Sequence, residues 1–173
     1  EVGAYQGITM QIYQPPLQDM RFVLNEVLKA EEFFAELPGY EEVNADLLDA
    51  VLEEAGKLFE GEIFPTNVVG HKEGCTWSPE GVTTPAGFPE AYRAFVEGGW
   101  SGLSSEPEYG GQGLPEAIGI AVDEMFASSN MALSLFVILT HGAYLAINAH
   151  ASDELKQTYL PNMVSGKWAG TMC

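Results

Sequence analysis

Met131-Ala-Leu-Ser-Leu-Phe-Val-Ile-Leu-Thr-His-Gly-Ala-Tyr-Leu-Ala-Ile-Asn-Ala149 is the most apolar segment of the chain, and no charged residue occurs between Glu124 and Asp153. By length alone such a run can span a bilayer, which takes about 20 predominantly apolar residues. Ser134, Thr140, His141, Gly142 and Asn148 interrupt it, and no basic flank orients it in a membrane. The segment therefore reads as a buried central helix and not as a membrane span. After it, Ser152 is placed to cap a last helix from Asp153 to about Val164, with Gly166 as its stop.

The pattern upstream is also helical. Leu114-Pro115-Glu116 puts proline where a first turn accepts it and opens a helix to about Ser128. Phe88, Tyr92, Phe95 and Val96 give helical spacing that Gly98-Gly99 ends, followed by a loop from Trp100 to Gly113. Thr76-Trp77 and Val82-Thr83-Thr84 flank Ser78-Pro-Glu-Gly81, which predicts a short hairpin. Asn44 is the expected N-cap of a helix carrying Leu47, Leu48, Val51, Leu52, Ala55, Leu58 and Phe59 and ending before Pro65. Leu17, Met20, Val23, Leu24, Val27 and Leu28 predict one more helix, stopped by Pro38-Gly39. Residues 1–16, with Pro15-Pro16, read as an extended arm. Six helices and one hairpin make an all-α domain.

The 173 residues carry 7 Lys+Arg against 25 Asp+Glu, a formal net charge of −18, with 46% apolar residues. That composition is globular, and the length suffices for a core without staples. The acidity excludes a phosphate-binding surface, so no nucleic acid is expected and an anionic membrane is disfavoured. Cys75 and Cys173 are too few for a disulfide scaffold, which favours a reducing, cytoplasmic setting. No signal peptide is visible after Glu1. Lys167-Trp-Ala-Gly-Thr-Met-Cys173 reads as the start of a strand, whose backbone groups need pairing. The expectation is the N-terminal part of a longer protein, divided into an extension and first helix (1–37), a helical domain (38–166) and the start of a β domain (167–173).

Few side chains suggest chemistry. Tyr109-Gly-Gly-Gln-Gly113 is the only Gly-rich loop, but Glu106, Glu108 and Glu116 crowd it and no Lys is near, so a tight turn is expected and not a phosphate cradle. His71, His141 and His150 have no metal-ligand spacing, and His141 and His150 would face opposite sides of one helix. Asp123-Glu124 puts one carboxylate toward the core side, where it needs a partner such as Arg93 or a backbone group; a structural role is favoured over that of a general acid. No Ser-His-Asp or Cys-His arrangement is legible.

Trp100-Ser-Gly-Leu-Ser-Ser-Glu-Pro-Glu-Tyr-Gly-Gly-Gln-Gly-Leu114 resembles the helical-domain loop of acyl-CoA dehydrogenases, Gly-Leu followed by Glu-Tyr-Gly-Gly-x-Gly. The likeness continues through the acidic helix at Ala121-Val-Asp-Glu-Met-Phe126 and the apolar helix. Ser152-Asp-Glu-Leu-Lys-Gln-Thr-Tyr-Leu-Pro161 is similar to the family's Lys-x-x-Tyr-Leu-Pro segment, and Val164-Ser-Gly-Lys-Trp168 to its Ser-Gly-x-Trp approach to the β domain. Tyr13 to Val27 is similar to the N-terminal extension of a larger subfamily with long-chain and 3-methylmercaptopropionyl-CoA dehydrogenase-like members.

The resemblance implies a three-part flavoenzyme, with helical, β and helical domains and FAD between them. A glutamate from the C-terminal part removes the α proton of an acyl-CoA thioester, and the β hydrogen leaves as hydride to the flavin. Electrons pass to an electron-transfer flavoprotein, and the assembly is a homodimer or homotetramer. The flavin-contacting Thr-Glu-Pro motif and the catalytic base are expected beyond Cys173, so no catalytic residue is assigned and the 173 residues alone are expected to bind no flavin. By alignment Met172 falls at a flavin-contacting position, or is strand core. Thr140, His141 and Tyr144 fall on the helix bordering the acyl tail, or serve as interhelical packing. His71 departs from the acid usual in the family's Pro-x-Asn-x-x-Gly-Asp segment, and Phe136-Val-Ile-Leu139 is bulkier than usual at the pocket wall. The rival reading is a non-enzymatic acidic helical module that docks a basic partner.

Overall fold

The computed structural model describes residues 12–171, so the flavin-contact position at Met172 lies outside the described residues. The first predicted helix is broken in three. Leu17–Arg21 (α1) runs into a π-helical turn at Phe22–Val27, and Ala30–Ala35 (α2) follows. Lys29, at φ 49°, takes the left-handed conformation between them and interrupts the helical ladder. Arg21 ties α1 down by bonding Asp49 at 3.1 Å and Glu53 at 2.6 Å, neighbours one turn apart on the next helix.

That helix, α3 (Ala45–Leu58), starts where expected, with the Asn44 side chain accepting the Leu47 N–H at 2.9 Å. It ends at Leu58, before Pro65 as expected, but the chain beyond it stays helical. A second π turn at Phe59–Ile63 joins it to α4 (Phe64–Glu73). The junction puts Pro65 in the first turn of α4, where its missing N–H removes no ladder bond.

The hairpin forms as predicted. Thr76–Ser78 (β1) pairs antiparallel with Gly81–Thr83 (β2), matching Trp77 to Val82. Phe88–Glu97 (α5), Glu116–Ser129 (α6), Met131–His150 (α7) and Asp153–Val164 (α8) complete a helical domain. Ser152 caps α8, and Gly166, at φ 67°, follows its end.

The core grows from the stripe Leu48, Leu52, Ala55, Phe59 and Ile63, all fully buried at helical spacing. It meets Ile118, Val122, Met125 and Phe126 of α6. Phe126 stands between two other rings, with centroids 5.1 Å from Phe59 and 4.9 Å from Phe95. A smaller cluster of Tyr109, Tyr144, Leu160, Met163 and Val164 binds α8 and the Gly-rich loop to α7.

α7 departs from expectation. It is long and apolar enough to cross a membrane by length and composition, a test that core helices of soluble proteins also pass, yet only 17% of its most apolar window is buried here. Leu133, Ser134 and Tyr144 face inward. Met131, Leu135, Ile138, Gly142 and Leu145, at spacings of three and four, form an exposed stripe down the opposite flank, with Phe136 beside it. The helix is not the buried centre of this chain, because α4, α6 and α8 cover one flank only.

Phe126→Ala removes both ring contacts from a site that cannot readily collapse. The expected loss of stability is about 3–5 kcal/mol, measured by urea unfolding against wild type.

Candidate functional site

A cavity of about 50 Å³ lies between α6, α7 and the loop after α5. It has room for roughly three or four water molecules and none for a flavin ring or a long alkyl chain. Three loop and helix segments meet there because α7 presents Thr140, His141 and Tyr144 on one flank, and all three line the cavity.

Each of the three is engaged with a different segment. Thr140 Oγ1 accepts the Gly170 N–H at 3.0 Å. His141 Nε2 lies 3.0 Å from Glu116 Oε1 in the first turn of α6, and Glu116 Oε2 in turn accepts the Ser104 hydroxyl at 2.8 Å. Tyr144 Oη accepts the Glu106 N–H at 2.8 Å, and its ring lies near-parallel to that of His141. Burial raises the Tyr144 phenol above its usual range, which keeps the hydroxyl neutral.

Asp123 is the half-buried member of the Asp123-Glu124 pair, while Glu124 is exposed. Its expected partner Arg93 is also exposed; the opposing charge comes from His141 across the cavity. Desolvation raises the Asp123 carboxyl above the usual range, His141 pulls it down, and Glu116 adds repulsion. This carboxylate lines the mixed polar and apolar cavity, and no hydroxyl or amide is presented to it as a proton partner among the described residues.

The Gly-rich loop is a closed turn. Gly111, Gln112, Gly113 and Leu114 give their N–H groups to the carbonyls of Glu106, Gly102, Ser105 and Leu103. A Cβ at Gly111 would sit 2.0 Å from the Ser105 carbonyl oxygen, so only glycine allows the two strands of the loop to meet. With those donors spent on backbone, the loop has none of them to offer a phosphate. No group of three or more metal-ligating side chains occurs among the described residues. His71 is exposed in the last turn of α4.

The three α7 residues named from the resemblance line one cavity, but the sequence carries no sign of Glu116 and Ser104 beside them, since 25 residues separate Glu116 from His141 and no local pattern joins them. Sequence reasoning also passed over Asn130, whose side chain accepts the Leu133 N–H at 3.1 Å and donates to Thr66 Oγ1 at 2.8 Å. An asparagine directly before an apolar run was the available signal.

The profile of the family described as acyl-CoA dehydrogenase, N-terminal domain, matches residues 76–167, more than half of the chain. The chain belongs to this family, and its helical fold is that of the family's N-terminal domain. Among curated proteins it is 36% identical over 160 residues to 3-methylmercaptopropionyl-CoA dehydrogenase of Ruegeria pomeroyi, which covers 92% of this chain and 27% of that protein. It is 29% identical over 164 residues to a butyryl-CoA dehydrogenase of Syntrophomonas wolfei, with 93% and 26% covered. Similarity to the broad-specificity linear acyl-CoA dehydrogenase FadE5 of Mycobacterium tuberculosis is 24% over 165 residues, with 94% and 26% covered. The chain thus spans about a quarter of the length of these relatives.

The Asp123 shift has a defined sign. A carboxyl whose folded value is raised destabilises the folded state once pH exceeds its unfolded value near about 3.9. Asp123→Asn is therefore expected to raise the melting temperature near pH 7, and the gain is expected to shrink as pH falls toward about 4. A gain that persists undiminished at acid pH would assign the effect to packing instead.

Proposed function

We propose that this chain is the N-terminal helical part of a flavoenzyme that α,β-dehydrogenates an acyl-CoA thioester to the 2-enoyl-CoA, working in the cytoplasm as a homodimer or homotetramer and passing electrons to an electron-transfer flavoprotein. The family membership supports the reaction class, and the uncovered stripe of α7 is the structural observation that carries it. Met131, Leu135, Ile138 and Leu145 leave a long apolar flank without charge, as an acyl tail and a covering helix both require.

FAD supplies the hydride acceptor in this reaction. The residues described here could give it one side only: exposed Trp168 and the backbone at Gly170 and Thr171 stand at the end of the described chain, and the cavity is too small to enclose a flavin. The task of this segment is then to exclude water and to hold the acyl wall in place. Thr140, His141 and Tyr144, on the cavity side of α7, hold that wall through the segments they bind, and Phe136 beside the stripe sets its ring edge-on to Tyr92 at 5.3 Å. The α proton goes to a base that this chain does not contribute. The exposed, free Cys75 is compatible with a reducing compartment.

Two purified samples test the reading. The intact protein carrying this sequence is expected to be yellow and to be bleached by a short-chain or medium-chain acyl-CoA, while the 173-residue chain alone is expected to copurify with no stoichiometric flavin. Leu135→Lys is expected to change the stability of the isolated chain by no more than about 0.5 kcal/mol, as for other exposed positions, yet to abolish turnover in the intact protein. A fully active Leu135→Lys enzyme would show that the stripe borders neither substrate nor a covering helix. A colourless intact protein that leaves acyl-CoA unchanged would favour the acidic binding module.

A further inference from the structure

Thr140 holds the chain where it leaves the helical domain. Beyond α8 the backbone is fixed first at Gly166, whose carbonyl accepts the Tyr92 hydroxyl at 2.8 Å. Trp168 and Ala169 are exposed, although the Trp168 ring rests edge-on against Tyr159 with centroids 5.7 Å apart. The chain then meets α7 at Gly170. Gly170 donates its N–H to Thr140 Oγ1 at 3.0 Å, a bond closed across 30 residues. A Cβ built on Gly170 would lie 2.8 Å from Ala143 Cβ and 3.1 Å from both the Leu139 carbonyl oxygen and Thr140 Cα. Two backbones meet here at a distance that a side chain on Gly170 would prevent.

We propose that Thr140 and Gly170 form a clasp that sets the direction in which the chain departs from the acyl-wall helix, making Thr140 a positioning residue for the dehydrogenation. The inference rests on the acyl-CoA dehydrogenase reading above. A threonine within a helix commonly turns its hydroxyl to a carbonyl of the preceding turn; this one receives an amide from another segment. This is the hydrogen bond that its side chain makes among the described residues, and through it Thr140 acts on the reaction by way of Gly170. Hydride transfer demands that donor carbon and acceptor be aligned, and a misplacement of about 1 Å can cost about 100-fold. A clasp between the acyl wall and the departing segment holds that register with one hydrogen bond and one close backbone contact.

The test uses the intact protein with Thr140→Val, which keeps the shape and loses the acceptor, and Thr140→Ser, which keeps the acceptor. In Thr140→Val, hydrogen exchange of the peptide containing Gly170 is expected to speed up about three- to tenfold, the range one lost hydrogen bond allows. The kcat is expected to fall about tenfold, with KM and flavin content within twofold of wild type. Thr140→Ser is expected to restore both exchange and kcat, and Gly170→Ala to reproduce the Thr140→Val phenotype. Unchanged exchange in Thr140→Val would overturn the clasp. Faster exchange with unchanged kcat would overturn its positioning role, and a merely structural residue would show that result together with a lower melting temperature. A wild-type protein without flavin or turnover would instead remove the dehydrogenase reading, and the role of Thr140 with it, whatever the exchange data showed.

Discussion

Asn130 is the single residue between α6 and α7, and the arrangement of the domain depends on its conformation. At φ −153° and ψ 92° it is extended, so the chain passes from one helix to the next in a single step. Such a residue is stable when buried only if its polar groups are satisfied. Its carbonyl oxygen Oδ1 caps α7, its amide reaches Thr66 on α4, and the Thr66 hydroxyl passes the chain of bonds on to the Ile63 carbonyl at 2.7 Å. The direction of the most apolar helix is thus fixed by three hydrogen bonds inside the core, beside the π turn that joins α3 to α4. Everything on the inner flank of α7, including the cavity, inherits its position from that corner.

Local signals in the sequence located most elements, because caps and stops are written in neighbouring residues. Asn44, Ser152, Gly98-Gly99 and Gly166 stand where the chain starts and ends its helices, and the hairpin was legible from Ser78-Pro-Glu-Gly81. The failures share one cause. Pro65 reads as a terminator in isolation, and only the preceding π turn makes it an acceptable first-turn residue. Lys29 carries no mark of its left-handed backbone. The exposure of α7 is a property of what packs against it, which hydropathy cannot report. At the cavity, the α7 trio was named from resemblance alone, and its partners were not legible: Glu116, Ser104, Glu106 and Gly170 are distant in sequence and meet it only after folding.

The same distinction runs through the polar groups of the domain. No buried side-chain nitrogen or oxygen among the described residues lacks a partner. Here the perturbed groups, Asp123 and the phenols of Tyr92 and Tyr144, are shifted chiefly by burial. The chain itself spans about a quarter of the length of its relatives.

The bare flank of α7 also has a colloidal consequence. Two copies of this chain have an uncharged stripe through which to adhere, and each brings a net charge of −18 to the encounter. In dilute buffer, where the screening length is about 30 Å at 0.01 M salt, mutual repulsion reaches past the stripe and holds the copies apart. At 1 M salt that length is about 3 Å, and the repulsion no longer extends to the distance at which the stripes attract. Added salt therefore favours adhesion between copies of this chain.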